Sequence, residues 1–240
     1  MFLKAIEFSL HQDMDPFKFS NDIFEAPHFS NEKCLELFHY QSAHVPIYHA
    51  FIEALGIQAS QVHNIEQIPF LPIEFFKSHE VISTSSLPQI WFTSSGTTGS
   101  EVSRHGVSHP EIYVQSFRRG FQQALQPTQG TAILGLLPSY LEREGSSLVY
   151  MVDQLIRDSG EKDSGFFLHN QDDLFQLIQQ REDSQKPSIL IGVTYALLDF
   201  AERFPTNLKH TTIMETGGMK GRRKELIREE VHQLLKEAFQ

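Results

Sequence analysis

The chain has 240 residues, 40% of them hydrophobic, with 20 basic against 30 acidic side chains and a formal charge of −10. This is ample for a real core, in one large domain or a domain with a small N-terminal lobe, and the acidic balance disfavours a general nucleic-acid or anionic-membrane binder. The single cysteine, Cys34, excludes an intramolecular disulfide framework.

A cytoplasmic protein is expected, since Glu7 interrupts the N-terminus too early for a secretory core. The longest apolar runs, such as 132–138 and 189–193, are too short to cross a bilayer, so no membrane insertion is expected. Twenty phenylalanines are an unusual number. Core filling accounts for most of them, although aromatic rings also line apolar acyl pockets.

Residues 1–62 read as a helical lobe. Ser30 is placed to cap a helix running through Ala43, and a second begins at Val45 or Pro46 and stops at Leu55, before Gly56. Over 65–81 the prolines at 69 and 72 prevent a continuous helix and impose an extended path that changes character near Phe75 and Phe76. Gln89-Ile90-Trp91-Phe92 reads as a strand, and 111–125 has helical apolar spacing with Gly120 as a weak point.

Strand and helix signals then alternate. Strands are expected at 131–137, 165–168, 187–193 and 210–215, and helices at 146–157, 171–180, 194–203 and 222–239. Short links between such elements favour right-handed crossovers and an α/β fold with a mainly parallel sheet covered by helices, spanning 63–240. Ligands of such folds sit at the carboxyl ends of strands.

Behind the strand at 89–92 comes Ser94-Ser95-Gly96-Thr97-Thr98-Gly99. Four hydroxyls and two glycines make poor core and a good anion cradle: glycine lets successive amides converge on a phosphate, and hydroxyls add donors or ligands for a phosphate-bound Mg²⁺. It is not a Walker A loop, because Gly99 is followed by Ser100 and Glu101 rather than Lys and Ser/Thr. A polar connection between elements is the plainer reading of any such cluster.

The hydroxyl string resembles the phosphate loop of acyl-adenylate-forming enzymes, the superfamily of acyl-CoA ligases, peptide-synthetase adenylation domains and firefly-type luciferases. Upstream, Ile68-Pro69-Phe70-Leu71-Pro72-Ile73-Glu74-Phe75-Phe76-Lys77 resembles the segment that precedes this loop in the acyl-protein synthetase branch (LuxE type), close to the phenylacetate-CoA ligases. Downstream, Glu215-Thr216-Gly217-Gly218-Met219-Lys220 resembles the Glu-Thr-Gly element whose backbone lines the adenine in those ligases.

The resemblance runs from about residue 65 to the end and implies ATP and Mg²⁺ as cofactors, a carboxylic acid as substrate, and an acceptor protein or coenzyme A as the acyl acceptor. It gives Ser94, Ser95, Gly96, Thr97, Thr98 and Gly99 to the phosphates, with Thr97 or Thr98 as the Mg²⁺ contact and Thr97, Thr98 and Arg104 as the catalytic set. It gives 215–220 to the adenine. Tyr140 and Tyr195 follow predicted strands and border an acyl pocket in this reading; Tyr195 lies in Gly192-Val193-Thr194-Tyr195-Ala196-Leu197, which resembles the branch's pocket-lining segment.

The chain departs from the pattern in three places. Many members follow the loop with Pro-Lys, where this chain has Ser100-Glu101-Val102-Ser103-Arg104-His105, so Arg104 is the nearest replacement cation. No Tyr-Gly pair occurs, so the expected Tyr-Gly-x-Thr-Glu element is missing, and the resemblance would put the ribose-binding Asp and the mobile lysine beyond Gln240. The resemblance thus implies an N-terminal portion of a longer enzyme. Third, Cys34 sits among Leu35, Leu37 and Phe38 as a structural thiol, leaving no visible nucleophile for self-acylation.

Other chemistries find less support. His105 and His109 are four apart, but Gly106 and Pro110 argue against a shared helical face, and no cysteine is nearby to complete a zinc set. No Gly-x-Ser-x-Gly elbow supports a hydrolase. Lys220, Arg222, Arg223 and Lys224 form a cationic run at the predicted start of the last helix, where the macrodipole disfavours positive charge. A solvated charge run and an anion site both fit it. A coenzyme A ligase and a non-catalytic nucleotide- or acyl-binding module stand as alternatives to the synthetase.

Overall fold

The structure, a computed structural model, describes residues 24, 30–84, 87–94, 102–138, 145–218 and 226–240. The chain divides into two compact units, 1–116 and 117–240.

In the first unit, helix α1 (Asn31–His44) opens as expected, with the Ser30 hydroxyl accepting the Lys33 amide at 3.2 Å. Val45 breaks the helix with an extended backbone, and Pro46 restarts it as α2 (Pro46–Ala54), where a first-turn proline sacrifices no hydrogen bond. Phe38, Val45, Tyr48, Ile52 and Val62 form the core beneath these helices. The Tyr48 hydroxyl donates to the Pro69 carbonyl at 2.6 Å, tying the proline-broken segment to α2. That segment yields one short helix, α3 (Phe75–Ser78).

A difference from the sequence reading follows. Strand β1 (Ile90–Thr93) does not lead through its loop into a helix: the chain doubles back as β2 (Arg104–Val107), antiparallel, with Thr93 opposite Arg104 and Ile90 opposite Val107. The polar run around Ser103 and Arg104 carries no strand pattern by itself. Pairing with β1 supplies the hydrogen bonds that make it one. Helix α4 (Pro110–Leu125) follows, and its residues from Phe117 belong to the second unit.

The second unit has the expected α/β form. Strands β3 (Ala132–Leu136), β4 (Gly165–Phe166), β5 (Ser188–Gly192) and β6 (Thr211–Glu215) make a parallel sheet in the order β4-β3-β5-β6. Every residue of β3 and β5 is buried, as their unbroken apolar runs require of central strands covered on both sides. The connecting helices are α5 (Ser147–Ser159), α6 (Gln171–Asp183) and α7 (Thr194–Arg203), and α8 (Arg228–Ala238) packs on α7.

Two glycines show how the helices approach opposite faces. A methyl at Gly135 in β3 would stand 3.3 Å from Val152 of α5, and one at Gly192 in β5 would stand 2.7 Å from Leu197 of α7. Gly192 pairs with Leu136, the next residue along β3, so the two glycines point to opposite faces. The chain steps from β3 outward to β4, then back across β3 to β5, which makes the carboxyl ends of β3 and β5 the switch point where ligands of open α/β sheets bind.

Two boundaries move. β4 is a two-residue strand rather than 165–168, and the last helix begins at Arg228 rather than 222, with Leu226 and Ile227 non-helical. Among the described residues no helix is long and apolar enough to cross a membrane.

Candidate functional site

The sequence-predicted residues fall on both units, and each group has its own setting. In the first unit, Ser94 follows β1 and Ser103 precedes β2. The Ser94 amide donates to the Ser103 carbonyl at 3.0 Å, and the Ser103 amide donates back to the Ser94 hydroxyl at 3.2 Å. This pair closes the root of the hydroxyl loop, so the Ser94 oxygen is engaged by the hairpin itself. Ser95, Gly96, Thr97, Thr98 and Gly99 lie outside the described residues, as do Tyr140, Met219 and Lys220.

Arg104 stands opposite Thr93 at that root. Its guanidinium lies 4.5 Å over the Trp91 ring and 3.6 Å from Glu80 Oε1. Stacking on a flat ring restricts the side chain while leaving donors on its edge free to point elsewhere. On the other face of β2, His105 stacks on Phe76 with the rings 5.2 Å apart. Burial holds its imidazole below the ordinary histidine pKa, favouring the neutral ring. His109 turns instead to Glu111, 3.1 Å away.

In the second unit the Glu-Thr-Gly-Gly element occupies the carboxyl end of β6. Glu215 is the last residue of the strand and pairs with Gly192. The Thr216 amide and hydroxyl both donate to the Gly192 carbonyl at 3.0 Å. The Gly217 amide donates to Glu215 Oε1 at 2.7 Å, and the Thr194 hydroxyl donates to the same oxygen. In return, the Thr194 and Tyr195 amides donate to the carbonyls of Gly217 and Gly218. The first free amides of α7 are thereby capped by main-chain carbonyls, in place of the side-chain cap that Val193 cannot give.

The result is a main-chain strip, 215–218, fixed by bonds to the turn between β5 and α7. Gly217 and Gly218 take positive φ values of 80° and 96°, a region that favours glycine, and among the described residues a methyl on either would meet no atom within 4 Å. At these two positions the strip offers bare peptide groups, of the kind that a flat ring can contact. Glu215 remains 12% exposed, and its second oxygen lies 4.0 Å from His232 Nε2 on α8.

Tyr195 is 4% exposed and belongs to the core cluster of the second unit. Sequence reasoning missed Thr194 as the clamp on Glu215 and missed His232. Thr194 lay within the quoted segment 192–197, but only its place across from β6 gives it a role. No protein-family model matches this chain, and no curated protein is significantly similar to it. Among the described residues no group of three His, Cys, Asp or Glu side chains is gathered as a metal site.

Proposed function

We propose that this chain activates a carboxylic acid, fatty or aromatic, as an acyl-adenylate and passes the acyl group on to a protein acceptor or to coenzyme A. The observation that carries the reading is the hydrogen-bonded strip at 215–218, which has no side chain at Gly217 and Gly218. It stands at the carboxyl end of a parallel strand, suited to stacking against an adenine ring. The second support is the sequence of 94–99, whose hydroxyls and glycines suit a phosphate.

In this reading the substrate carboxylate attacks the α-phosphorus of ATP, the bond to the bridging oxygen breaks, and pyrophosphate leaves with that electron pair. The acceptor then attacks the acyl carbon and AMP departs. The carboxylate is already a nucleophile, so the protein contributes positioning and charge stabilisation rather than proton transfer. The residues assigned to the phosphates are 94–99, with Arg104, restrained by Trp91, as the cation, and those assigned to the base are 215–218. Thr97 or Thr98 would hold a Mg²⁺ ion, which would neutralise phosphate charge.

The test is carboxylate-dependent ATP–pyrophosphate exchange with aliphatic and aromatic acids, alongside a Thr97→Val control. Exchange that is lost in the control is the expected result, and the acid that supports it names the substrate class. ATP binding without exchange would replace this reading with a non-catalytic nucleotide-binding module.

A further inference from the structure

Beside β6 the second unit carries a groove of about 460 Å³, within the range of roughly 300–1,000 Å³ usual for small-molecule sites. β6 is the last strand of the sheet, so the groove lies between an open strand edge and α8. Its floor is apolar, made by Ile213, Met214, Leu235 and Phe239. Its wall is Arg228, His232 and Lys236, spaced four residues apart along one stripe of α8.

The charges of this wall lack an internal purpose. Neither Arg228 nor Lys236 has an ion-pair partner among the described residues. Arg228 is the first residue of α8, the end at which the helix dipole disfavours a cation and where Glu229 and Glu230 already satisfy it. Glu215 is the one carboxylate among the lining residues; its Oε1 is engaged by Thr194 and Gly217, and its Oε2 lies 4.0 Å from His232 Nε2. That leaves Arg228 and Lys236 as the unpaired cations above an apolar floor, an arrangement complementary to a molecule with an apolar tail and an anionic head.

We infer that this groove binds a single-tailed carboxylic acid, its carboxylate against Arg228, in the field of Lys236, and its tail along Ile213, Leu235 and Phe239. The site rests on the groove alone and stands whatever reaction the 215–218 strip serves. A peptide strand or a second copy adding to the edge of β6 would use the strand's backbone. The groove reaches past that backbone to Leu235 of α8 and Phe239 just after it, side chains that strand pairing does not engage.

The 240-residue chain is titrated with dodecanoate, dodecanol and dodecyltrimethylammonium, each below its micelle concentration, while the methyl signals of Ile213, Met214 and Leu235 are followed by NMR. Dodecanoate is expected to shift all three saturably and to bind about tenfold or more tightly than the cationic amphiphile. Arg228→Glu with Lys236→Gln, both on the exposed side of α8, is expected to weaken dodecanoate about tenfold and leave the spectrum folded. Absence of saturable shifts, equal binding of the three amphiphiles, or undiminished binding in the double variant would overturn the assignment. Shifts confined to the amides of 211–215 that grow with protein concentration would overturn it too, marking the edge as a strand-pairing surface.

Discussion

The hydroxyl of Thr194, first residue of α7, donates to the carboxylate of Glu215, last residue of β6. The two residues are neighbours only because β5 and β6 pair with Gly192 opposite Glu215. Their bond joins the start of a helix to the end of an adjacent strand and fixes the 215–218 strip. Thr194→Val keeps the shape and removes the donor. We expect a loss of about 1–3 kcal/mol, the cost of a hydrogen bond to a charged acceptor, together with weaker nucleotide binding. Denaturant unfolding and nucleotide titration of the same variant check both; unchanged nucleotide affinity alongside lost stability would leave the clamp a purely structural role.

Gly217 and Gly218 hold backbone conformations that L residues adopt at a cost of roughly 1–2 kcal/mol. Gly218→Ala meets no atom among the described residues, so its effect isolates that strain and the new methyl on the open face. A modest fall in melting temperature with a larger fall in ATP–pyrophosphate exchange is expected. A fall in stability alone would separate the strip from the nucleotide.

Arg181 is 1% exposed and fully engaged: Nε donates to the Ser188 hydroxyl at 2.8 Å, Nη1 to Asp163 at 2.7 Å, and Nη2 to the carbonyls of Gly130 and Pro187. It gathers the segments that enter β3, β4 and β5. Arg181→Met takes the guanidinium from Asp163 and the Gly130 carbonyl, while the Pro187 carbonyl keeps the Ala132 amide, and a loss of about 3–5 kcal/mol is expected in urea unfolding. A loss below about 1 kcal/mol would show that water replaces the guanidinium.

Burial alone would push the Glu182 carboxyl up, but the Thr211 hydroxyl at 2.7 Å and the amides of Lys209 and His210, with the nearby His210 charge, win and hold it below the ordinary value. A depressed carboxyl pKa stabilises the fold above the unfolded-state value and loses that contribution as pH falls through the folded one. Stability measured from pH 6 downward should therefore fall less steeply for Glu182→Gln, which starts lower. Parallel curves would show that the carboxylate is not linked to folding.

Tyr48 reports the opposite end of the scale. Burial pushes its hydroxyl up to about 12 from an ordinary 10, and the hydroxyl donates to the Pro69 carbonyl. Because the folded state resists ionisation, its contribution is complete below the unfolded value near 10 and is lost as pH rises toward 12. Alkaline unfolding followed by phenolate absorbance should lose part of its steepness in Tyr48→Phe.

The alternation of buried strand and amphipathic helix after residue 131 was legible in the sequence because central parallel strands must be apolar on both faces. The runs at 132–136 and 188–192 can be little else. The Ser30 cap and the stop at Gly56 were legible for local reasons: a hydroxyl at a helix start, and a residue that takes a φ of 69°. The Glu-Thr-Gly-Gly element was legible as a strand end, since strand pattern and glycines meet there.

Strand β2 was not legible, because Arg104, His105 and Gly106 have no strand character of their own and become a strand only against β1. The order β4-β3-β5-β6 was not either: the same alternation allows several orders, and long-range packing chooses among them. Nor does any local pattern place Thr194 beside Glu215, twenty-one residues on, or set Arg228, His232 and Lys236 over the floor of a groove. Periodicity is written in neighbouring residues and fixes which elements form. Which side chains then face one another depends on sheet register and helix packing, which no single segment encodes.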